Sequence, residues 1–112
     1  MEIKIRRMKA KLVKAMYGDE FYPVKLVDKV RDALLELCTG IEKNSPETLE
    51  ELYDLADLTV ERINELQSEF FKSGSEIETN ARGIICGDLH SIALAYGFEK
   101  ADRGEMSRDR DW

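Results

Sequence analysis

The sequence has few of the residues that build disulfide frameworks, sharp turns and metal sites. Its 112 residues include two cysteines, two prolines and one histidine. Two cysteines are too few for a disulfide framework, so we expect Cys38 and Cys86 to be free thiols in a reducing compartment. No apolar run approaches the roughly 20 residues that a membrane span needs, and no apolar segment follows the N-terminal charges as in a secretion signal. These absences predict a cytoplasmic protein with no transmembrane segment.

Recognisable catalytic and cofactor motifs are also absent. The sequence contains no Gly-rich phosphate loop, no nucleophile elbow and no paired metal ligands of the HExxH type. We therefore expect no cofactor, and the sequence favours a protein that is not an enzyme.

Charge is plentiful and unevenly distributed. The chain has 17 basic and 23 acidic residues, a formal net charge of −6. The first 18 residues contain six of the basic residues and one acid, so they carry +5 and the remainder carries −11. Because phosphate backbones need clustered Lys and Arg, we do not expect the acidic body to bind nucleic acid. The basic arm, residues 1–15, is either a solvated helix face or a surface for an acidic partner or membrane.

Apolar residues recur at three- and four-residue steps in four segments, as in amphipathic helices. The pattern predicts an all-α, four-helix bundle-like single domain over residues 1–112, with helices at about 3–17, 23–43, 46–72 and 76–96. Pro23 suits the start of the second helix, and Ser45 followed by Pro46 suits the start of the third. Ser75 and Glu78 fit a capping box that begins the fourth.

Two features lie outside these apolar stripes. The polar tail at 99–112 either folds back with Trp112 inserted or frays. Leu35 and Leu58 point away from the stripes of their helices, and although single exposed leucines are normal, the pair also fits a homodimer interface. Homodimerisation is therefore a hypothesis.

Asp88 is the residue that most directly suggests chemistry. At about 100° per residue it projects between Ala81, Ile84 and Ile92, within the apolar arc of the fourth helix. A carboxylate buried there needs a hydrogen-bonding tyrosine or a positive side chain beside it. Asp88 is either a satisfied polar group in the core or a functional acid in a cleft, with Tyr96 as a second catalytic candidate.

Gly83, Gly87 and Ser91 form a stripe of small residues beside that arc. Each glycine in a helix interior costs about 1 kcal/mol relative to alanine, so we expect a compensating contact. Close approach of a neighbouring helix is the favoured explanation. A ligand lying against bare backbone is the alternative, which makes Gly83 and Gly87 candidate ligand-binding residues.

Cys86 and His90 are one helical turn apart, a spacing that can place two side chains on one metal ion. The chain has no second histidine, so a metal site would need carboxylates from elsewhere, and we predict none. His90 is instead expected to be solvated or to lie at an interface.

Five short blocks follow one another along the chain. They are MYGDEFYP at 16–23, LVDK at 26–29, GSEIET at 74–79, AYGF at 95–98 and RDW at 110–112. With these blocks, residues 16–112 resemble an uncharacterised bacterial family of small helical proteins, a domain of unknown function. The resemblance implies a bacterial source and brings no activity or catalytic residue.

The first and last of these blocks lie outside the plain amphipathic stripes. We therefore predict that residues 17–23 and 110–112 pack together, with Trp112 near Phe21 and Tyr22. Tyr22 and Trp112 join His90 as candidate partner-binding residues.

Three functions remain open. The leading hypothesis is a non-enzymatic helical protein-interaction module of an inhibitor or immunity type, whose acidic surface meets a basic partner. The second is a small enzyme or ligand-binding protein in which Asp88, the glycine stripe and Tyr96 share one cleft. The third is an adaptor that binds an acidic surface through the basic N-terminal helix.

Overall fold

The computed structural model describes residues 8–112, and within them it contains helices and no strand. The helices are α1 (Lys14–Tyr17), α2 (Val24–Asn44), α3 (Leu49–Lys72), α4 (Thr79–Ala95) and α5 (Arg103–Met106). The radius of gyration of 13.3 Å is that expected of one compact domain of this length. The predicted all-α, bundle-like fold is therefore confirmed.

Helices α2 and α3 form an antiparallel hairpin that supplies much of the core. Contacts run in opposite directions along the two helices, because Lys29 pairs with Glu69 whereas Glu36 pairs with Arg62. Near the second pair the buried Thr59 hydroxyl donates to the carbonyl of Ala33 at 3.2 Å. The bounds predicted for α2 agree with the structure to within one residue at each end.

The predicted start of α3 at Pro46 is wrong. Ser45 has a left-handed conformation (φ 46°) and ends α2 by donating its N–H to the carbonyl of Ile41. Helix α3 begins three residues later, where the Thr48 hydroxyl accepts the N–H of Glu51 at 3.1 Å. Two N-cap residues lie close together in the sequence, and the one nearer the apolar stripe caps the helix.

The predicted capping box at Ser75 is also wrong. Glu78 itself is the N-cap of α4, and its carboxylate accepts the N–H groups of Asn80 and Ala81. Ser75 instead closes α3, because its N–H bonds to the carbonyl of Phe70 at 2.9 Å after Gly74 turns the chain at φ 78°. The Ser75 hydroxyl is buried without a partner among the described residues.

The first predicted helix does not continue unbroken to Tyr17. Residues 10–13 form a turn that ends at Val13, whose φ of 47° lies in the left-handed region. A β-branched residue adopts this conformation only at a cost, so other contacts must stabilise it. The part of this prediction that falls on residues 3–7, with three of the basic arm's six basic residues, lies outside the described residues.

The tail folds back onto the helices. Met106 and Trp112 are buried, and the Arg108 guanidinium bonds to Glu50 and Asp57 on α3. Of the two alternatives for residues 99–112, insertion of Trp112 is confirmed. Among residues 8–112, no helix is long and apolar enough to cross a membrane.

Candidate functional site

Asp88 lies on the face of α4 that meets the turn before α1. Its Oδ2 accepts the N–H of Val13 at 2.6 Å, which stabilises the left-handed residue. The prediction that a tyrosine or a positive side chain lies beside Asp88 is wrong, because the backbone N–H of Val13 is the hydrogen-bond donor. Asp88 is half-buried rather than fully buried. Burial raises its pKa, and the bond from Val13 offsets only part of that rise.

A cleft of about 450 Å³ opens beside this carboxylate. Lys11 and Ser91 add polar groups to its wall, and Met8, Leu12, Leu94 and Ala95 add apolar surface. Asp88 is therefore neither enclosed nor isolated. It is a carboxyl group with a raised pKa at the wall of a mostly apolar depression.

Tyr96 lies elsewhere. Its ring is buried, and its hydroxyl donates to the carboxylate of Glu42 on α2. Burial and this bond raise the pKa of Tyr96, and burial also raises the pKa of the neighbouring Cys38 thiol to about 11. The hypothesis that Asp88, the glycine stripe and Tyr96 share one cleft is therefore wrong, because Tyr96 faces α2 and Asp88 faces Val13.

The glycine stripe meets the guanidinium group of Arg103, the first residue of the short helix α5. The carbonyl of Gly83 accepts from Nη2 of Arg103 at 2.9 Å, and a Cβ at Gly87 would lie 3.7 Å from Nη1 of the same side chain. The predicted close approach of another helix is wrong at Gly83, where a Cβ would meet no atom within 4 Å. The sequence pattern does not identify Arg103 as the neighbour of the glycine stripe, because the tail carries no helical periodicity.

Within residues 8–112, no further metal-ligating side chains gather around Cys86 and His90. Cys86 is buried, and Nε2 of His90 lies 3.1 Å from the carbonyl oxygen of Ala101. Residues 8–112 contain no group of three or more His, Cys, Asp or Glu side chains that could hold a metal ion. His90 therefore contacts the start of the tail within its own chain.

Tyr22 is a structural partner of the N-terminus of α4. Its hydroxyl donates to Glu78 and accepts from Nδ2 of Asn80 at 3.1 Å. Burial and the Glu78 bond raise the pKa of Tyr22 to about 12. The Tyr22 ring also packs edge-on against Phe21, with centroids 5.2 Å apart.

Trp112 lies in the core, under the guanidinium of Arg110, whose Cζ is 5.7 Å from the indole centroid. The residue before it is tied to α3, because the N–H of Asp111 donates to Asn64 and the Asp111 carboxylate accepts from Gln67. Packing of Trp112 directly on Phe21 and Tyr22 stays a prediction.

The outer surface of α3 combines acidic residues with an exposed leucine. Leu58 is 63% exposed, whereas Leu35 is partly buried against the core. Of the two leucines predicted to be exposed, only Leu58 is exposed. Four exposed acids lie within about 60° of Leu58 around the helix. They are Glu51, Asp54, Glu61 and Glu65.

A second depression, of about 190 Å³, lies between α2 and α3 on the other side of Leu58. Leu37, Leu55 and Leu58 form much of its wall. Arg62 and Glu36, which bond to each other across the two helices, also line it. The sequence identifies Leu58 by its register but not this depression, which depends on how the two helices pack.

Comparison with known proteins identifies the family and nothing further. A family model described as a family of unknown function, DUF5713, matches residues 6–112, and the chain therefore belongs to that family. The match confirms the family resemblance and begins nearer the N-terminus than the short blocks do. Neither a curated protein nor a solved structure matches the chain.

Proposed function

We propose that this member of a family of unknown function is a non-enzymatic interaction module that binds a basic segment of a partner protein. The observation that carries the proposal is the outer surface of α3, where Leu58 is 63% exposed among four acidic side chains. An apolar centre with a charged rim is the usual composition of a protein interface. An inhibitor or immunity-type protein, which covers a basic surface of its target, fits this arrangement.

Charge supports the same partner chemistry. Helix α3 contains seven acidic and two basic residues, and the chain as a whole carries −6. Arg108 partly compensates Asp54 at 3.2 Å, but Glu61 and Glu65 project further along the same exposed surface. An acidic surface steers a basic partner toward itself, and the adjacent depression beside Leu55 offers room for an apolar side chain of that partner.

The test is affinity capture from a lysate of the native host with the wild-type protein and two single-residue variants. Leu58→Lys places a positive charge at the centre of the surface. Phe71→Lys is the matched control, because Phe71 is 65% exposed and lies on the far side of α3. We expect a basic protein to be captured by the wild type and by Phe71→Lys, to be lost with Leu58→Lys, and to elute with salt. Identical captured proteins for all three would contradict the proposal.

Dimerisation through the same leucine is a separate hypothesis. Sedimentation velocity of the three proteins distinguishes it, because a homodimer would dissociate with Leu58→Lys in the absence of any lysate.

A second candidate function, an acid or ligand-binding site at Asp88, has one observation in its favour. Asp88 combines a raised pKa with a place at the wall of a cleft of about 450 Å³. A screen of small apolar bases by NMR tests it. Binders that shift the amide signals of Ser91 and Leu94 in the wild type, but not in Asp88→Asn, would support the site.

The adaptor hypothesis stays a prediction. Of the basic arm, Lys9, Lys11 and Lys14 are exposed, and the remaining charges precede the described residues. Deleting residues 1–15 would also remove the buried side chains of Leu12 and Val13. Replacing the three lysines with glutamine is therefore the cleaner test of salt-sensitive binding to anionic vesicles.

A further inference from the structure

Three arginines from separate parts of the chain meet at one cleft on α4. Arg82 comes from α4, Arg103 from α5 and Arg110 from the tail, and all three line a depression of about 410 Å³. Thr79, Gly83, Cys86, Gly104 and Ser107 complete its wall. Three guanidinium groups gathered in a chain with a net charge of −6 call for a physical explanation.

Two of these arginines are positioned by main-chain oxygens. Nη2 of Arg103 donates to the carbonyl of Gly83 at 2.9 Å, and Nη1 of Arg110 donates to the main-chain oxygen of Trp112 at 2.5 Å. Arg110 also stacks over the Trp112 ring. Both guanidinium groups are thus held in place by main-chain oxygens rather than by Asp or Glu side chains.

Arg82 has a buried donor with no acceptor. Its Nε is shielded from solvent and has no hydrogen-bond partner among the described residues. Leaving such a donor unpaired is unfavourable, and more so for a charged group. Within residues 8–112, none of the three arginines forms an ion pair with an Asp or Glu side chain.

Arg108, in the same tail, differs from these three arginines because it pairs with carboxylates. Its guanidinium pairs with Glu50, Asp54 and Asp57 on α3 and lies over the Tyr53 ring. Carboxylates are therefore plentiful near the tail, yet the cleft has none paired to its arginines. The contrast indicates that the missing counterion comes from outside the part of the chain that the structure describes.

We infer that this cleft binds the phosphate group of a small phosphorylated molecule. Each guanidinium group can donate two parallel hydrogen bonds to a pair of phosphate oxygens. A phosphate dianion also balances the charge of three guanidinium groups better than a single carboxylate does. The volume falls within the range of small-molecule sites, which leaves room for the group that the phosphate esterifies. Gly83 adds space, because no atom lies within 4 Å of the position that its Cβ would take.

The experiment is calorimetric titration with inorganic phosphate, glycerol 3-phosphate and adenosine monophosphate, each at an ionic strength matched with sodium chloride. The variants are Arg82→Gln and Arg82→Lys. The matched control is Arg62→Gln, which removes one exposed positive charge from a residue that lines a different depression. Arg82→Gln should weaken phosphate binding about tenfold or more, and Arg62→Gln should leave it unchanged. Arg82→Lys should fall between wild type and Arg82→Gln, because it keeps the charge but loses the fork.

The Arg82 Nε–H signal in NMR spectra gives an independent readout, and it should shift on addition of phosphate but not of chloride. Tighter binding of a monoester than of inorganic phosphate would identify an esterified ligand, and equal binding would identify the free anion. The inference is overturned if none of the three phosphates binds above the chloride background, or if Arg82→Gln and Arg62→Gln lower affinity equally. The Leu58→Lys variant should bind phosphate as the wild type does, so this test is independent of the partner-binding proposal.

Discussion

Glu78 and Asp88 are carboxylates of the same helix, α4, in opposite surroundings. Burial tends to raise the pKa of Glu78, but the hydrogen bonds from Tyr22, Ala81 and Asn80 outweigh it and lower the pKa. For Asp88 burial is also the largest influence and raises the pKa, and the single hydrogen bond from Val13 is too weak to reverse that rise. The depth of burial and the number of donors together decide whether a partly buried carboxylate acts as a helix cap or stays a proton-sensitive group.

The two shifts have opposite consequences for stability against pH. Glu78 has a lowered pKa in the folded state, so its stabilising effect is present above its ordinary value of 4.5 and is lost as pH falls through the lowered pKa. Asp88 has a raised pKa, so its stabilising effect is present below its ordinary value of 3.8 and is lost as pH rises through the raised pKa. At neutral pH the first carboxylate favours folding and the second opposes it.

Glu78→Ala is expected to have the largest effect. It removes the cap of α4 and leaves the buried Tyr22 hydroxyl without its acceptor. The free energy of unfolding at neutral pH should fall by about 2–4 kcal/mol, as measured by urea denaturation. Glu76→Ala is the matched control, because Glu76 is an exposed acid on the same loop. An equal, small effect of both variants would show that Glu78 is not the cap that holds this end of the helix.

Tyr22→Phe tests the donor that distinguishes Glu78 from Asp88. Loss of the hydroxyl should destabilise the protein by about 1 kcal/mol at about pH 7. The loss should shrink toward about pH 3, since the bond to a charged carboxylate no longer contributes once Glu78 is protonated. Urea unfolding at both pH values measures it.

Tyr53→Phe is the control for this pH dependence. The Tyr53 hydroxyl accepts the backbone N–H of Asp102 at 3.0 Å and bonds to no carboxylate among residues 8–112. The free energy of unfolding that Tyr53→Phe removes should therefore be similar at both pH values. A Tyr22→Phe cost that is equally independent of pH would mean that Tyr22 does not lower the pKa of Glu78.

Local patterns are enough to predict the helices but not how they begin. The apolar stripes of α2, α3 and α4 depend on periodicity alone, and those helices form where the stripes lie. Their first residues depend on which of several neighbouring caps is used. Thr48 rather than Ser45 begins α3, and Glu78 rather than Ser75 begins α4. For α4 the choice depends on a tertiary contact, the bond from Tyr22 to Glu78, which no short window of sequence contains.

The candidate sites divide in the same way. Asp88 and Leu58 could be identified from helical register, because each interrupts the polarity of its own helix. The left-handed Val13 could not, because the group that stabilises it lies 75 residues away in the sequence. The arginine cleft is equally inaccessible to sequence reasoning, since its three guanidinium groups come together only when the tail folds back over α4.

Asp88→Asn should have the smallest effect, and its sign should be opposite to that of Glu78→Ala. The amide oxygen can still accept the Val13 N–H, while the cost of a charged, half-buried carboxylate disappears. At about pH 7 the free energy of unfolding should rise by up to about 1 kcal/mol, allowing for partial exposure to solvent, and the gain should vanish by about pH 3. Urea unfolding at both pH values measures it, with the exposed Asp109→Asn as the control. If Asp88→Asn instead destabilises the protein at neutral pH, the negative charge itself holds the Val13 turn, and the contrast between the two carboxylates fails.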